Sequence, residues 1–365
     1  MTIKRLASLF LTLVTVLSVC GCSVNLSSTR EERRIIMTVD EWEVPYEMYR
    51  YAVMMNLRDR ANEINADAGK TVTAEGTAYP SAGDIITEAV GGLSDEDRRA
   101  LAEEVDKNAI ETIVNIYSLF TAAKKEGIDP FDKNVDSLTE MKMKEIRATY
   151  ENDKEYLEAI KQFFMNNSVY SVLTRYEIVF DQLYELYVKN GVIDTSDSAV
   201  IAAMKGDDAV RVKQILISFE RHSDDEALSV ANTVYAEVMT YVSEDGIMNE
   251  EKFDELTKKY GEDLFMFNNR DGYYIYKGYS DKDFETAAFA LDMWHVSEPV
   301  RTSKGYSIMM KAPKEDSYIE SEKHFATLKE NYLGGLYRGM LDEYSDGAKV
   351  VTNEEYSKID IFSMK

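Results

Sequence analysis

Thiol and imidazole groups are scarce in this chain. Among 365 residues there are two Cys, at positions 20 and 22, and three His, at positions 222, 295 and 324. That is little material for a metal site, and none is expected. The groups left for chemistry are carboxylates, hydroxyls, amides and rings. On the residues alone, Asp263 is a carboxylate beside a helix end, and Phe284 is a core ring. Charge removes one function class. With 42 Lys+Arg against 66 Asp+Glu, the formal net charge is −24. Neutralising nucleic-acid phosphates needs a basic surface, so nucleic acid is not an expected partner.

Cys22 has one specific reaction open to it. Lys4 and Arg5 precede a 14-residue uncharged run, Leu6 to Val19. The run is short of the ~20 apolar residues that a membrane-spanning helix needs, but it suits the apolar part of a signal peptide. It leads into Val19-Cys20-Gly21-Cys22-Ser23, which resembles a bacterial lipobox. Cys22 fits as the lipidated thiol because Gly21 is small and Val19 stands three before it. Cys20 fits less well, because Val19 would then sit at the cleavage site. An acyl chain would supply hydrocarbon anchoring of about 0.8 kcal/mol per buried CH2. Ordinary secretion, with cleavage near residue 22, is the competing reading. Cleavage before Cys22 leaves 344 residues with a side-chain charge of −26 and no disulfide. Core burial must then stabilise the chain, which is feasible at this size. The polar stretch 22–36 reads as a tether.

Behind these residues stand the elements that must position them. From Met37 to about Lys205 the chain reads as mostly helical. Pro45 suits the first turn of a helix carrying Met48, Tyr51, Ala52 and Met55 at helical spacing. Residues 65–100, rich in Gly, read as a long loop. Ser94-Asp95-Glu96-Asp97 has the form of an N-cap with an acidic first turn, and the helix it opens should stop by Gly127, ahead of Pro130. Val135 to Asn190 reads as two helices, with Gly191 as a C-terminal cap. The wide apolar stripe of the second is a core face or an adaptable binding surface.

The pattern changes over 208–313. Val210 to Ile217 reads as a half-buried strand, Ala227–Val242 and Glu251–Tyr260 as helices, and Gly272 to Tyr276 as a strand. Asp281–Leu291 is a short helix. Val296–Val300 and Tyr306–Lys311 read as closing strands around a turn at Ser303-Lys304-Gly305. The order β-α-α-β-α-β-β describes a small α+β domain. Helix returns from Ser317 to Tyr344, and Val350–Ile361 can add a short strand. Helical segments thus flank the α+β domain, so it is expected to be inserted into a helical domain whose halves, 37–205 and 314–365, meet in space.

Residues 208–313 resemble a parvulin, the small rotamase domain of peptidyl-prolyl cis-trans isomerases. The resemblance rests on Phe284-Glu285-Thr286-Ala287-Ala288-Phe289-Ala290-Leu291, Val296-Ser297-Glu298-Pro299-Val300 and Gly305-Tyr306-Ser307-Ile308. Parvulins carry FExAAFxL, VSxPVxT and GYHII in this order. Val212-Lys213-Gln214-Ile215-Leu216-Ile217 is similar to the family's V-x-H-I-L-V, and Tyr260-Gly261-Glu262-Asp263 to its Y-S-x-D. Val39-Asp40-Glu41-Trp42-Glu43-Val44 followed by a helix resembles the start of the chaperone domain in PrsA and SurA foldases, which also split that domain around a parvulin. The resemblance implies an α+β fold, a parvulin domain within a mostly helical chaperone domain. It also implies an extracytoplasmic foldase, lipid-anchored to the bacterial cell membrane through Cys22.

Family membership would assign the site residue by residue. The paired His of the first and last strands are Gln214 and Ser307 here, so the His pair is not carried over. The acidic position survives as Asp263 and the Thr of the penultimate strand as Thr302. The aromatic wall of the proline slot is Phe284, and the aliphatic position four before it is Ser280, or Tyr279 on a one-residue shift. Tyr274, on the middle strand, completes the expected substrate-binding set. Gln214 and Ser307 can hydrogen-bond across adjacent strands and hold Asp263 or Thr302 in place. His295, before Val296, is expected to be exposed.

Rotation about an Xaa-Pro bond faces a barrier of ~18–20 kcal/mol. Lowering it requires binding the twisted amide better than the planar one, with no metal, cofactor or covalent step. Three readings follow. One is a foldase with peptidyl-prolyl isomerase activity on Xaa-Pro-containing or unfolded secreted polypeptides. The second is a non-catalytic holdase with a degenerate parvulin domain. The third is a lipid-anchored adaptor or solute-binding protein, and the helix-rich flanks argue against solute binding. Homodimerisation is left open.

Overall fold

A computed structural model of the protein describes residues 32–67, 87, 90–278 and 280–364. Cys20, Cys22, most of the expected tether, most of the expected loop over 65–100, and Tyr279 lie outside them. In chain order the elements are β1 (Ile35–Val39), β2 (Trp42–Pro45), α1 (Tyr46–Asp67), α2 (Asp95–Lys125), α3 (Lys133–Arg147), α4 (Asp153–Lys161), α5 (Asn167–Lys189) and α6 (Asp197–Lys205). There follow β3 (Ala209–Ser218), α7 (Asp224–Met239), α8 (Glu250–Tyr260), α9 (Leu264–Asn268), β4 (Tyr273–Tyr276), α10 (Lys282–Ala290), β5 (Val300–Thr302) and β6 (Gly305–Ala312). Last come α11 (Asp316–Ile319), α12 (Phe325–Asp346) and β7 (Val350–Thr352), then two short 3-10 turns.

Helices begin where short polar side chains can satisfy free backbone N–H groups. Ser94 accepts from the N–H of Asp97, Asp132 from Val135, Asn152 from Glu155 and Ser196 from Ala199. Helix α2 ends as expected, with Gly127 at φ +86° just beyond it. The stretch read as two helices over 135–190 forms three, broken at residues 148–152 and 162–166.

The chain forms two compact units. The first holds the residues up to Lys189 and those from Leu341 on. Its helices come with a three-stranded sheet of order β2-β1-β7, in a stretch read as mostly helical. Strands β1 and β2 form a hairpin across Asp40-Glu41, and β1 pairs antiparallel with β7 from Met37↔Thr352 to Val39↔Val350. Strands from opposite ends of the described residues therefore meet in one sheet. Tyr49 of α1 and Tyr356 near the C-terminus both donate to the Asp106 carboxylate of α2.

The second unit, Asn190–Met340, contains an antiparallel sheet of order β4-β3-β6-β5. All ten residues of β3 are buried, against the expectation of a half-buried strand. The reason is that its charged residues find carboxylates. The Arg211 guanidinium lies 3.1 Å from Glu250 and 2.9 Å from Glu315, and Lys213 Nζ lies 2.8 Å from both Glu250 and Asp254. The expected strand over 296–300 is a single bridge, Val296↔Met310, followed by β5. Pro299 has no N–H to offer a ladder there. The turn into β6 requires glycine: Gly305 has φ +142°, and a Cβ on it would sit 2.1 Å from the Ile217 carbonyl oxygen.

Strand alternation divides side chains between two faces. One face of β3 and β6 carries Ile215, Ile217, Ile308 and Met310, which pack with Ala231, Val234 and Val238 of α7 and Phe253 and Leu256 of α8. The other carries Val212 and Met309, which pack with Phe284 and Ala288 of α10. The second face is the one that holds the site.

Candidate active site

Gln214 lies on β3 opposite Met309, and Ser307 lies opposite Leu216. Both side chains therefore point to the α10 face and meet diagonally across the two strands. Ser307 Oγ donates to Gln214 Oε1 at 2.6 Å. Gln214 Nε2 in turn donates to Asp263 Oδ2 at 2.7 Å. Ser307 is fully buried and Gln214 is 8% exposed, so each polar group at this junction needs a partner and has one.

Asp263 is reached from a different direction. It caps the five-residue helix α9, with Oδ1 accepting from the N–H of Phe265 at 2.9 Å. Its Oδ2 also accepts from Tyr273 Oη at 2.7 Å. Three donors thus orient one carboxylate at the surface of the sheet. Tyr273 was not among the expected site residues, whereas Tyr274 was. Tyr274 pairs with Arg211 and so faces the opposite side of the sheet. There it accepts from the N–H of Glu315 and stacks on Tyr318 at 4.9 Å. The structure does not bring Tyr274 to the site, because adjacent strand residues point to opposite faces.

Thr302 shares the face through its pairing with Gly305, but its hydroxyl closes the turn. It donates to the Gly305 carbonyl at 2.9 Å and accepts from the N–H of Lys304 at 3.2 Å. Gln214 and Ser307 thus hold Asp263, and Thr302 holds the hairpin. Phe284 is 8% exposed and packs among Val210, Val212, Ile275 and Met309. It is a core ring on the same face of the sheet as Gln214 and Ser307. Ser280 sits just before α10, its hydroxyl buried without a hydrogen bond among the described residues. Beside Asp263, α9 presents Leu264 and Phe267, 75% and 53% exposed, while Phe265 stacks on Tyr273 at 4.4 Å. This rim is apolar and solvent-facing.

None of the three His joins the junction. His222 Nε2 lies 3.1 Å from Glu262 Oε1, and His324 stacks on Tyr318. His295 is half-buried rather than exposed, because Gly246 lies against its ring. Among the described residues, no group of three or more His, Cys, Asp or Glu could hold a metal ion.

Asp281 ties α10 to the β5–β6 turn. Its Oδ1 accepts from the N–H groups of Asp283 and Phe284, and its Oδ2 from Ser303 at 3.0 Å. Burial alone would raise this carboxyl, but the backbone donors of Ser303 and Phe284 outweigh it and hold it below the usual aspartate range. Asp281→Ala is expected to cost about 1 kcal/mol of stability, as loss of a helix cap does. Since the folded value is depressed, the charge-dependent part is complete above pH ~4 and lost as pH falls through the folded value. Urea titrations from pH 7 to 3 check this, with Asp281→Asn expected to flatten the acid limb.

The antiparallel four-stranded sheet and its covering helices are those of a parvulin-type rotamase domain. Residues 215–312 match the family model described as Rotamase, the PPIC-type PPIase domain. The chain is 31% identical over 239 residues to the foldase protein PrsA of Staphylococcus aureus, covering 57% of this chain and 70% of that protein. It is 25% identical over 259 residues to the PrsA of Caldanaerobacter subterraneus, covering 67% and 73%. Among solved structures, a peptidylprolyl isomerase (PrsA) from Bacillus anthracis aligns with 65% of this chain and 96% of its own, at 18% identity and a TM-score of 0.31. The chain belongs to the PrsA foldase family.

Proposed function

We propose that this chain is a peptidyl-prolyl cis-trans isomerase that assists the folding of secreted polypeptides outside the cytoplasmic membrane, anchored there by lipid at Cys22. The observation that carries the catalytic reading is the Ser307–Gln214–Asp263 hydrogen-bond chain, which supplies an oriented carboxylate. Isomerisation needs little more. An apolar surface seats the proline ring, and a fixed polar group favours the amide as it leaves planarity. Gln214 differs from an imidazole in keeping both donor and acceptor whatever the pH, so the junction does not depend on a ring proton. The split helical unit is proposed to cradle the unfolded client. Lipid anchoring rests on Gly21-Cys22 and its preceding apolar run. Among the described residues no helix is long and apolar enough to cross a membrane.

A second reading, a non-catalytic holdase, is favoured by one observation. The rim residues Leu264 and Phe267 are exposed apolar surface of the kind that holds unfolded chains. Exchange of an Ala-Pro peptide, followed by NMR with the chain from residue 23 onward, separates the two. Catalysis is expected, with Asp263→Ala lowering it about tenfold or more. Absence of acceleration, with suppression of client aggregation retained, would instead establish the holdase. In that event Gln214→His with Ser307→His is expected to restore some rate.

A further inference from the structure

Glu262 stands next to Asp263 and has no role in the chemistry described so far. Strand β4 pairs with β3 only from Ala209 to Val212. Beyond Val212 that edge of β3 has no strand beside it among the described residues, and its Leu216 carbonyl and Ser218 N–H face outward. Glu262 occupies both. Its backbone N–H donates to the Leu216 carbonyl at 3.0 Å, and its Oε2 accepts from the N–H of Ser218 at 2.7 Å. Its other oxygen, Oε1, lies 3.1 Å from His222 Nε2 and 3.8 Å from Arg221 Nη1. The side chain is 12% exposed. One residue thus takes the place of a missing strand, with a backbone group at one ladder position and a carboxylate at the next.

We propose that Glu262 is the positioning residue of this site: its clamp on the free edge of β3 sets the height at which Asp263 meets Gln214 and Tyr273. This rests on the reading of Asp263 as the site carboxylate. Asp263 follows directly along the chain, and its own contacts pull it toward the sheet face through Gln214 Nε2 and Tyr273 Oη. Those bonds hold at 2.7 Å only while the backbone at Glu262 stays on the strand edge. An alanine at 262 keeps the backbone bond to Leu216 and loses the two that the carboxylate makes. A glutamine keeps an acceptor for Ser218 and an amide that can hydrogen-bond the His222 ring nitrogen. A displacement near 1 Å at a reacting group is enough to cost one to two orders of magnitude in rate, roughly.

The test is a coupled set of variants in the Ala-Pro exchange assay. Glu262→Ala is expected to lower the rate about tenfold. Glu262→Gln should keep about half or more, which guards against a variant that simply fails to fold. Glu262→Ala with Asp263→Ala should be no slower than Asp263→Ala alone, since Glu262 acts through its neighbour. A double variant slowed by the full additional factor, or a full-rate Glu262→Ala, overturns the proposal. A second readout needs no catalysis. The side-chain NH2 signal of Gln214 in heteronuclear NMR should move, in Glu262→Ala, to the position it takes in Asp263→Ala. If the unaltered chain accelerates no exchange, the isomerase reading falls and this signal alone decides. An unmoved signal then overturns the role of Glu262.

Discussion

Replacing Phe284 by alanine is expected to lower the unfolding free energy by about 3–5 kcal/mol, the usual cost of deleting a buried aromatic ring. The ring is 8% exposed and packs against Val210, Val212, Ile275 and Met309, where neighbouring strands leave little room for collapse into the gap. Urea unfolding at constant slope checks the magnitude. On the proposed reading the same ring walls the slot for proline, so activity and stability should fall together. Phe284→Leu separates the two. It keeps most of the volume, so it should cost far less stability while still altering the flat surface offered to a proline ring. Full exchange activity in a folded Phe284→Leu would show that the ring serves the core alone.

Replacing Lys213 by methionine should be comparably severe, about 3 kcal/mol or more. The Lys213 side chain is 2% exposed and its ammonium bridges Asp254 and Glu250. Removing one partner of a buried ion pair leaves the other desolvated and uncompensated, which typically costs ~3–5 kcal/mol. Glu250 retains Arg211, whereas Asp254 loses the cation that faces it. Lys213→Met combined with Asp254→Leu should recover most of the loss, because an apolar pair of similar volume carries no stranded charge. If the single variant proves neutral in urea unfolding, or the double proves worse than the single, the network contributes nothing to the fold.

The parts of the fold that were legible from residues are those with local causes. Ser94 before three acidic residues, Gly127 before Pro130 and the Lys304-Gly305 turn each state their geometry within a few positions. Parity of the strands was legible for Gln214 and Ser307, and with it their hydrogen bond. It was not legible for Tyr273 and Tyr274, because three tyrosines surround Ile275 and nothing local says which face is inward. A one-residue difference in phase exchanges them. Arg211 and Lys213 read as a solvent face because charges usually are one. Their carboxylate partners lie on α8 and beyond Pro313, far along the chain. The β1–β2 hairpin was missed for a related reason: β1 is five residues and β2 four, and a short strand carries a signal only once its neighbour is known. Glu262 was visible merely as the variable position of a motif, since its use depends on where β4 stops.

The pairing of β1 with β7 has a temporal consequence. Lys349 and Asp40, which are hydrogen-bonded at the edge of that pairing, are 309 positions apart. A closure of this span forms slowly compared with local contacts, and its entropy is recovered only when the last strand docks. The unit Asn190–Met340 is built from one continuous stretch and can begin to fold as soon as that stretch emerges. The other unit has to wait for β7. During synthesis from the N-terminus, the unit that is begun first is thus the last to be completed.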